Sequence, residues 1–201
     1  MNRCGCVVLV AVMLTGCAGP LRAPEGGMRA DPAALTQWSA AGRMAIAANG
    51  EGGSGSFDWA QDGGTTRLDL RGPLGTGAVR LVLTPQSFSL TDGSGQSLDA
   101  AAAQSDLRTR LGADLPWEQL RYWLLGLPAP DQPASVQDAT AVPWRVIDQA
   151  GWRLTYESFV DAQGYSLPQR FTAERPSVRV RVVVDRWATA NGAPEASKDA
   201  P

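Results

Sequence analysis

Val178-Arg179-Val180-Arg181-Val182-Val183-Val184-Asp185-Arg186-Trp187 alternates valine with charged residues along most of its length. A period of two puts Val178, Val180, Val182 and Val184 on one face and Arg179, Arg181 and Asp185 on the other, as in a half-buried strand of an antiparallel sheet. The pattern recurs upstream. Residues 67–71 alternate cleanly, Val79, Leu81 and Leu83 share a face opposite Arg80 and Thr84, and Trp152, Leu154 and Tyr156 oppose Arg153, Thr155 and Glu157. Turn signals at Asp62-Gly63-Gly64, Asp92-Gly93-Ser94-Gly95 and Gln163-Gly164 separate these runs. A string of hairpins ending in a long strand before Trp187 is expected.

The centre of the chain has another period. Residues 99–112 are Ala-rich, with Ala100, Ala103, Leu107 and Leu111 at helical spacing. Pro116 suits a first helical position, and Trp117, Leu120, Tyr122, Trp123 and Leu124 follow before a stop at Gly126. Apolar residues almost encircle this second helix, so it needs cover on most sides; the sheet can supply one. Residues 129–141 read as a Pro- and Asp-bearing loop, and the tail from Ala188 onward as a polar, disordered segment.

Composition narrows the function. The formal net charge of -2 argues against nucleic acid, whose binders carry a basic surplus. The chain has no histidine, which removes the usual general base, the usual metal ligand and the Ser-His and Cys-His nucleophile pairs together. No metal-ligand cluster, P-loop, dinucleotide fingerprint or G-x-S-x-G elbow is present, and no cofactor is expected. The Gly-rich residues 50–56 read as a loose hairpin loop rather than a phosphate site. Paired carboxylates for glycoside hydrolysis remain open on spacing, although Asp58, Asp69, Glu157 and Asp185 fall on the polar side of their strands.

The N-terminus reads as an address. Arg3 precedes an apolar run over residues 7–14, too short for the roughly twenty residues that span a bilayer, and it fits the h-region of a secretory signal. Leu14-Thr15-Gly16-Cys17 then matches a bacterial lipobox, in which the Cys thiol takes a diacylglycerol before cleavage. On this reading residues 1–16 are a signal peptide and Cys17 is the lipidated first residue. Residues 17–34 are then a flexible tether, 35–188 the folded domain and 189–201 the tail. Cys4 and Cys6 leave with the signal, so no disulfide is available. Several acyl chains on one residue anchor stably where one would not. Ala18 in place of an Asp after the Cys favours the outer membrane.

Two further features concern lipid. Seven tryptophans are more large rings than one sheet and two short helices readily cover. A curved sheet half-closed over helices would leave an apolar cavity, the architecture of a lipid-binding pocket. Between two strands, Pro73, Leu74 and Gly75 enforce a loop with Leu74 at its tip. Leu74 either folds back onto the sheet or stands out as an apolar finger that touches a bilayer or an acyl chain.

The chain resembles the outer-membrane lipoprotein receptor family LolB. The resemblance runs through Gly42-Arg43, Phe57-Asp58-Trp59-Ala60-Gln61, Leu70-Arg71-Gly72-Pro73-Leu74-Gly75, Leu115-Pro116 and Leu120-Arg121-Tyr122-Trp123-Leu124-Leu125-Gly126-Leu127-Pro128. It continues in Gln149-Ala150-Gly151-Trp152, Leu167-Pro168 and Val184-Asp185-Arg186-Trp187. Departures are the Gly- and Ala-rich first hairpin, residues 131–140 and the tail after Trp187. The resemblance implies a mainly β fold with a small α component: an unclosed antiparallel β-barrel, or half-barrel, with a helical lid over a hydrophobic cavity. It implies a monomer that accepts lipoproteins from the periplasmic carrier LolA and inserts them into the outer membrane, with Leu74 at the family's protruding loop. Acyl chains are then expected on Trp59, Leu68, Leu70, Leu81, Leu83, Trp123, Trp152 and Tyr156. An anchored binding module for another lipid or amphiphile is the alternative.

Overall fold

The computed structural model describes residues 29–72, 77–111, 114–142 and 144–190. Among them one antiparallel sheet holds eleven strands. In chain order they are β1 (Gln37–Ala48), β2 (Glu51–Asp62), β3 (Thr65–Arg71), β4 (Val79–Leu83), β5 (Phe88–Asp92) and β6 (Ser97–Leu98). After helices α1 (Ala100–Leu111) and α2 (Trp117–Leu124) come β7 (Ala134–Asp138), β8 (Arg145–Gln149), β9 (Trp152–Ala162), β10 (Tyr165–Arg175) and β11 (Val178–Thr189).

The spatial order β6-β5-β4-β3-β2-β1-β11-β10-β9-β8-β7 brings the first and last strands together at the centre. The edges, β6 and β7, do not pair with each other, so the barrel is unclosed. This topology places the helices. The chain must cross from one edge of the sheet to the other between β6 and β7, and α1 and α2 are that crossing, laid over the face that buries its side chains.

The alternation seen in the sequence sorts the two faces. Val178, Val180, Val182 and Val184 of β11, Trp152, Leu154 and Tyr156 of β9, and Leu68 and Leu70 of β3 are buried, while the intervening arginines and carboxylates are exposed or half-buried. Two irregularities interrupt the regular register of the sheet. The β1–β11 register shifts between Ala41 and Gly42, and the β9–β10 register shifts around Pro168 and Arg170. Bulges increase local twist, and Pro168, which has no N–H for the ladder, is at home in one.

Several expectations are adjusted. Residues 50–56 are not a loose loop: the turn is confined to Asn49 and Gly50, with φ of 54° and 87°, and β2 begins at Glu51. Glycine is a poor strand former alone, but β2 pairs residue for residue with β1 from Ala48↔Glu51 to Gln37↔Asp62. The expected loop at 129–141 contains the edge strand β7. β11 takes in Ala188 and Thr189, whose N–H donates to the Gln163 Oε1 at 2.9 Å, so the ordered chain runs past the expected tail boundary. At the other end, Ala30 bridges Tyr165 and Asp31 caps a short 3-10 turn over Pro32–Ala34, so the last residues of the expected tether are docked on the sheet.

Candidate functional site

α2 lies in the concavity, and the sequence fixes it at its C-terminal end. Gly126 adopts φ 77°, the Gly126 N–H reaches the Trp123 carbonyl, and the Leu127 N–H reaches the Tyr122 carbonyl, the bond pair of a glycine-terminated helix. A Cβ on Gly126 would stand 3.1 Å from Pro168 and 3.3 Å from Phe159, so the glycine also admits close approach to the β9–β10 bulge.

Three polar groups then hold this end in apolar surroundings. The Gln149 Oε1 accepts from the Trp123 Nε1 at 3.0 Å and from the Ala129 N–H at 2.9 Å, while its Nε2 donates to the Ala129 carbonyl at 2.7 Å and the Gln132 carbonyl at 2.9 Å. The Tyr156 hydroxyl donates to the Trp123 carbonyl at 2.9 Å, and an Arg145 nitrogen donates to the Gly126 carbonyl at 2.9 Å. Complete burial pushes the Tyr156 phenol well above its ordinary pKa, with the Arg145 charge opposing, so it stays a neutral donor. The other end of α2 has no side-chain cap; before it, the Asp114 carbonyl accepts from Arg175, whose guanidinium also lies 4.8 Å from the Trp152 ring centroid.

Between α2 and the sheet is a chamber with only apolar residues in its lining: Met44, Phe57, Trp59, Leu68, Trp152, Phe171, Val180 and Val182 from the sheet, and Leu115, Pro116, Trp117, Leu120, Trp123 and Leu124 from the helix side. Its free volume is only about 50 Å³, against the roughly 300–1,000 Å³ of ordinary ligand pockets. α2 is therefore seated as a closed lid. Trp117, Leu120 and Tyr122 of α2 are half-buried against the core, and Arg121 packs over the Tyr122 ring.

Beside the lid the concave face stays open. A groove of about 400 Å³ is lined by Met44, Ile46 and Ala48 of β1, Leu70 and Val79, Leu107 and Thr109 of α1, and the glycine-bearing start of β2. Among the described residues β2 outruns β3: their pairing begins at Ser56↔Arg71, and residues 51–55 of β2 pair with β1.

Of the eight residues expected to meet acyl chains, Trp59, Leu68, Trp123 and Trp152 line the chamber and Leu70 lines the groove. Leu81 and Leu83 lie on β4 beside β5, opposite Leu90 and Phe88, and line neither space, and Tyr156 is a lid fastener rather than a wall. Trp59 has a second task, stacking on Trp38 at 5.9 Å, with Trp187 against Trp38 at 5.6 Å. Pro73, Leu74, Gly75 and Cys17 lie outside the described residues. Sequence reasoning missed Met44, Phe57, Phe171, Val180 and Val182 as chamber walls, although the valine alternation signalled the last two. The groove was masked by reading its glycines as a turn.

The carboxylates considered for hydrolysis sit on the outer face, each against an arginine. Asp69 pairs with Arg80 at 2.6 Å, Asp185 with Arg43 at 3.0 Å, Glu157 with Arg181 at 3.5 Å, and Asp58 with Arg71. None lines the chamber or the groove. Among the described residues no group of His, Cys, Asp and Glu could hold a metal, and no helix is long and apolar enough to cross a membrane.

The family described as Outer membrane lipoprotein LolB matches residues 36–187. The outer-membrane lipoprotein LolB of Halorhodospira halophila is 37% identical over 90% of this chain and 92% of its own length. That of Nitrosococcus oceani is 34% identical over 92% and 96%. Among solved structures, a LolA superfamily protein from Nitrosomonas europaea superposes with a TM-score of 0.51 at 9% identity, covering 80% of this chain and 89% of that one. A DUF1329 family protein from Desulfovibrio piger gives 0.52 at 9% identity, covering 82% and 90%. These last two are likenesses of fold.

Proposed function

The chain belongs to the LolB family of outer-membrane lipoproteins, and from that premise we propose that it receives lipoproteins from the periplasmic carrier LolA and inserts them into the outer membrane, making and breaking no bond. The observation that carries this reading is the wholly apolar chamber under a lid helix in an unclosed barrel. Acyl chains crossing an aqueous compartment lose about 0.8 kcal/mol per exposed CH₂ unless covered. A chain of acceptors, each shielding them better than the last and ending in a bilayer, needs no ATP. The paired carboxylates on the outer face fit this role, since they offer no free acid and base side by side in an enclosed space. In the same proposal Cys17 carries the anchor, and Pro73, Leu74 and Gly75 form the loop that meets the bilayer at release.

The test is transfer of a labelled lipoprotein from LolA to this chain and on to liposomes without ATP. Passage to the liposomes supports the reading. Failure to accept cargo from LolA, with lipid still taken up from vesicles, replaces it with a binding module for another amphiphile.

A further inference from the structure

We propose that one saturated acyl chain seats in the groove between β1, the start of β2 and α1 while α2 remains closed over its chamber. This rests on the acceptor reading above and goes beyond it by giving the first binding position.

Volume separates the two spaces. The chamber's 50 Å³ is room for about two waters. Enlarging it means pulling α2 away from Gln149, Tyr156 and Arg145, which hold its C-terminal end. The groove already offers 400 Å³ with no bond broken. Its length also fits. Half of a hydrocarbon core about 30 Å thick makes an acyl chain about 15 Å long, and residues 51–56 of β2 run about 20 Å at ~3.4 Å per residue. The lining is amphipathic, as an acyl chain with a polar end requires: Met44, Ile46, Ala48, Leu70, Val79 and Leu107 supply apolar side chains, and Glu51, Ser54, Ser56, Arg71 and Thr109 supply polar ones.

The glycines make the space. Gly53 lies opposite Ile46 on the inner face, and no heavy atom stands within 4 Å of where its Cβ would be. A side chain there would project into the groove rather than into the protein. Met44 lines both the groove and the chamber, and an unbranched thioether side chain can shift between rotamers to open one to the other. The acyl chain then has a path from the open groove to the lidded chamber.

The experiment uses the full chain carrying Cys17→Ser, so that its own acyl groups do not compete, with 9,10-dibromopalmitate as the probe. Bromine quenches tryptophan on contact. Trp59, Trp117, Trp123 and Trp152 line the chamber and no tryptophan lines the groove. Binding followed by equilibrium dialysis is expected with weak quenching. Gly53→Phe is expected to weaken binding at least tenfold and Gly53→Ala less than threefold, both with unchanged thermal midpoints. Asp185→Asn, on the outer face and away from both spaces, is expected to alter binding less than twofold. Strong quenching, or undiminished binding by a folded Gly53→Phe, overturns the groove and leaves the acceptor reading standing. No binding by the parent chain overturns both. If Gly53→Phe does not fold, strong or weak quenching in the parent chain decides the matter alone.

Discussion

Trp123 and Gln149 meet across 3.0 Å in a region closed to water, the indole N–H donating to an amide oxygen that also accepts from the Ala129 backbone. Both hydrogens of the same amide are used on carbonyls, so the four hydrogen bonds of the Gln149 side chain run between β8 and the end of α2 or the loop after it. A buried polar group in this position specifies one seating of the lid, because any other leaves donors and acceptors unpaired. Gln149→Leu is expected to lower stability by about 2–4 kcal/mol, since several buried partners lose their bonds at about 1–3 kcal/mol apiece with partial relaxation. Tyr156→Phe removes one bond and is expected to lower it by about 1 kcal/mol. Urea unfolding measures both. Hydrogen exchange separates lid opening from global unfolding: in Gln149→Leu the Trp123 and Leu124 amides should exchange faster than those of β1.

Leu74→Glu addresses delivery. On the proposed function the variant still takes labelled lipoprotein from LolA and no longer passes it to liposomes, because a carboxylate at the loop tip resists entry into hydrocarbon. Normal delivery by the variant would remove the loop from the mechanism.

The outer-face carboxylates give the opposite expectation. Asp69→Asn and Glu157→Gln should leave lipoprotein transfer within twofold of the parent chain. Their partners are largely exposed arginines, and pairs of this kind contribute less than about 1 kcal/mol. Loss of transfer in either folded variant would reopen a catalytic role.

Acid stability follows from two such pairs. Hydrogen bonds donated by Arg145 and Arg153 hold the Asp138 and Asp148 carboxyls below their usual value of 3.8. In acid the unfolded chain therefore binds protons that the folded chain refuses, and stability from these pairs is whole above about 3.8 and lost as pH falls through the lowered values. With no histidine to titrate, the thermal midpoint is expected to be level between about pH 5.5 and 8 and to fall below about 4. A step near pH 6 would contradict this assignment.

Strand identity was legible wherever one face meets the core and the other meets water, as in β3, β9 and β11. Residues 51–55 and β7 were not legible, for a shared reason. Neither stretch shows the alternation of a half-buried strand, and each is a strand only because a distant partner, β1 or β8, supplies its hydrogen bonds. The chamber's tryptophans were readable as an excess of large rings needing cover. Gln149 was readable only as part of a stretch that carries the family resemblance, since nothing local to a glutamine reveals that it is buried. Tyr156 was placed on the correct face, but its hydroxyl makes it a fastener, and that depends on where the Trp123 carbonyl ends up.

On the proposed function, in which Cys17 carries the anchor, the docking of Ala30 beside Tyr165 makes that anchor a leash of definite length. The chain joins the sheet where its N–H donates to the Gly164 carbonyl at 3.1 Å, level with the start of β1, whereas the β3–β4 connection leaves Arg71 level with Arg43, six residues further along. That offset is about 20 Å at ~3.4 Å per residue. Residues 17–28 can span at most about 40 Å, enough slack for a barrel held at Cys17 to turn its groove and loop either toward the periplasm or toward the leaflet. Removing residues 18–25 would shorten the leash below the offset and hold the loop off the membrane, so delivery should fail. Cys17→Ser, which frees the barrel altogether, should restore delivery to the same deletion in the liposome assay.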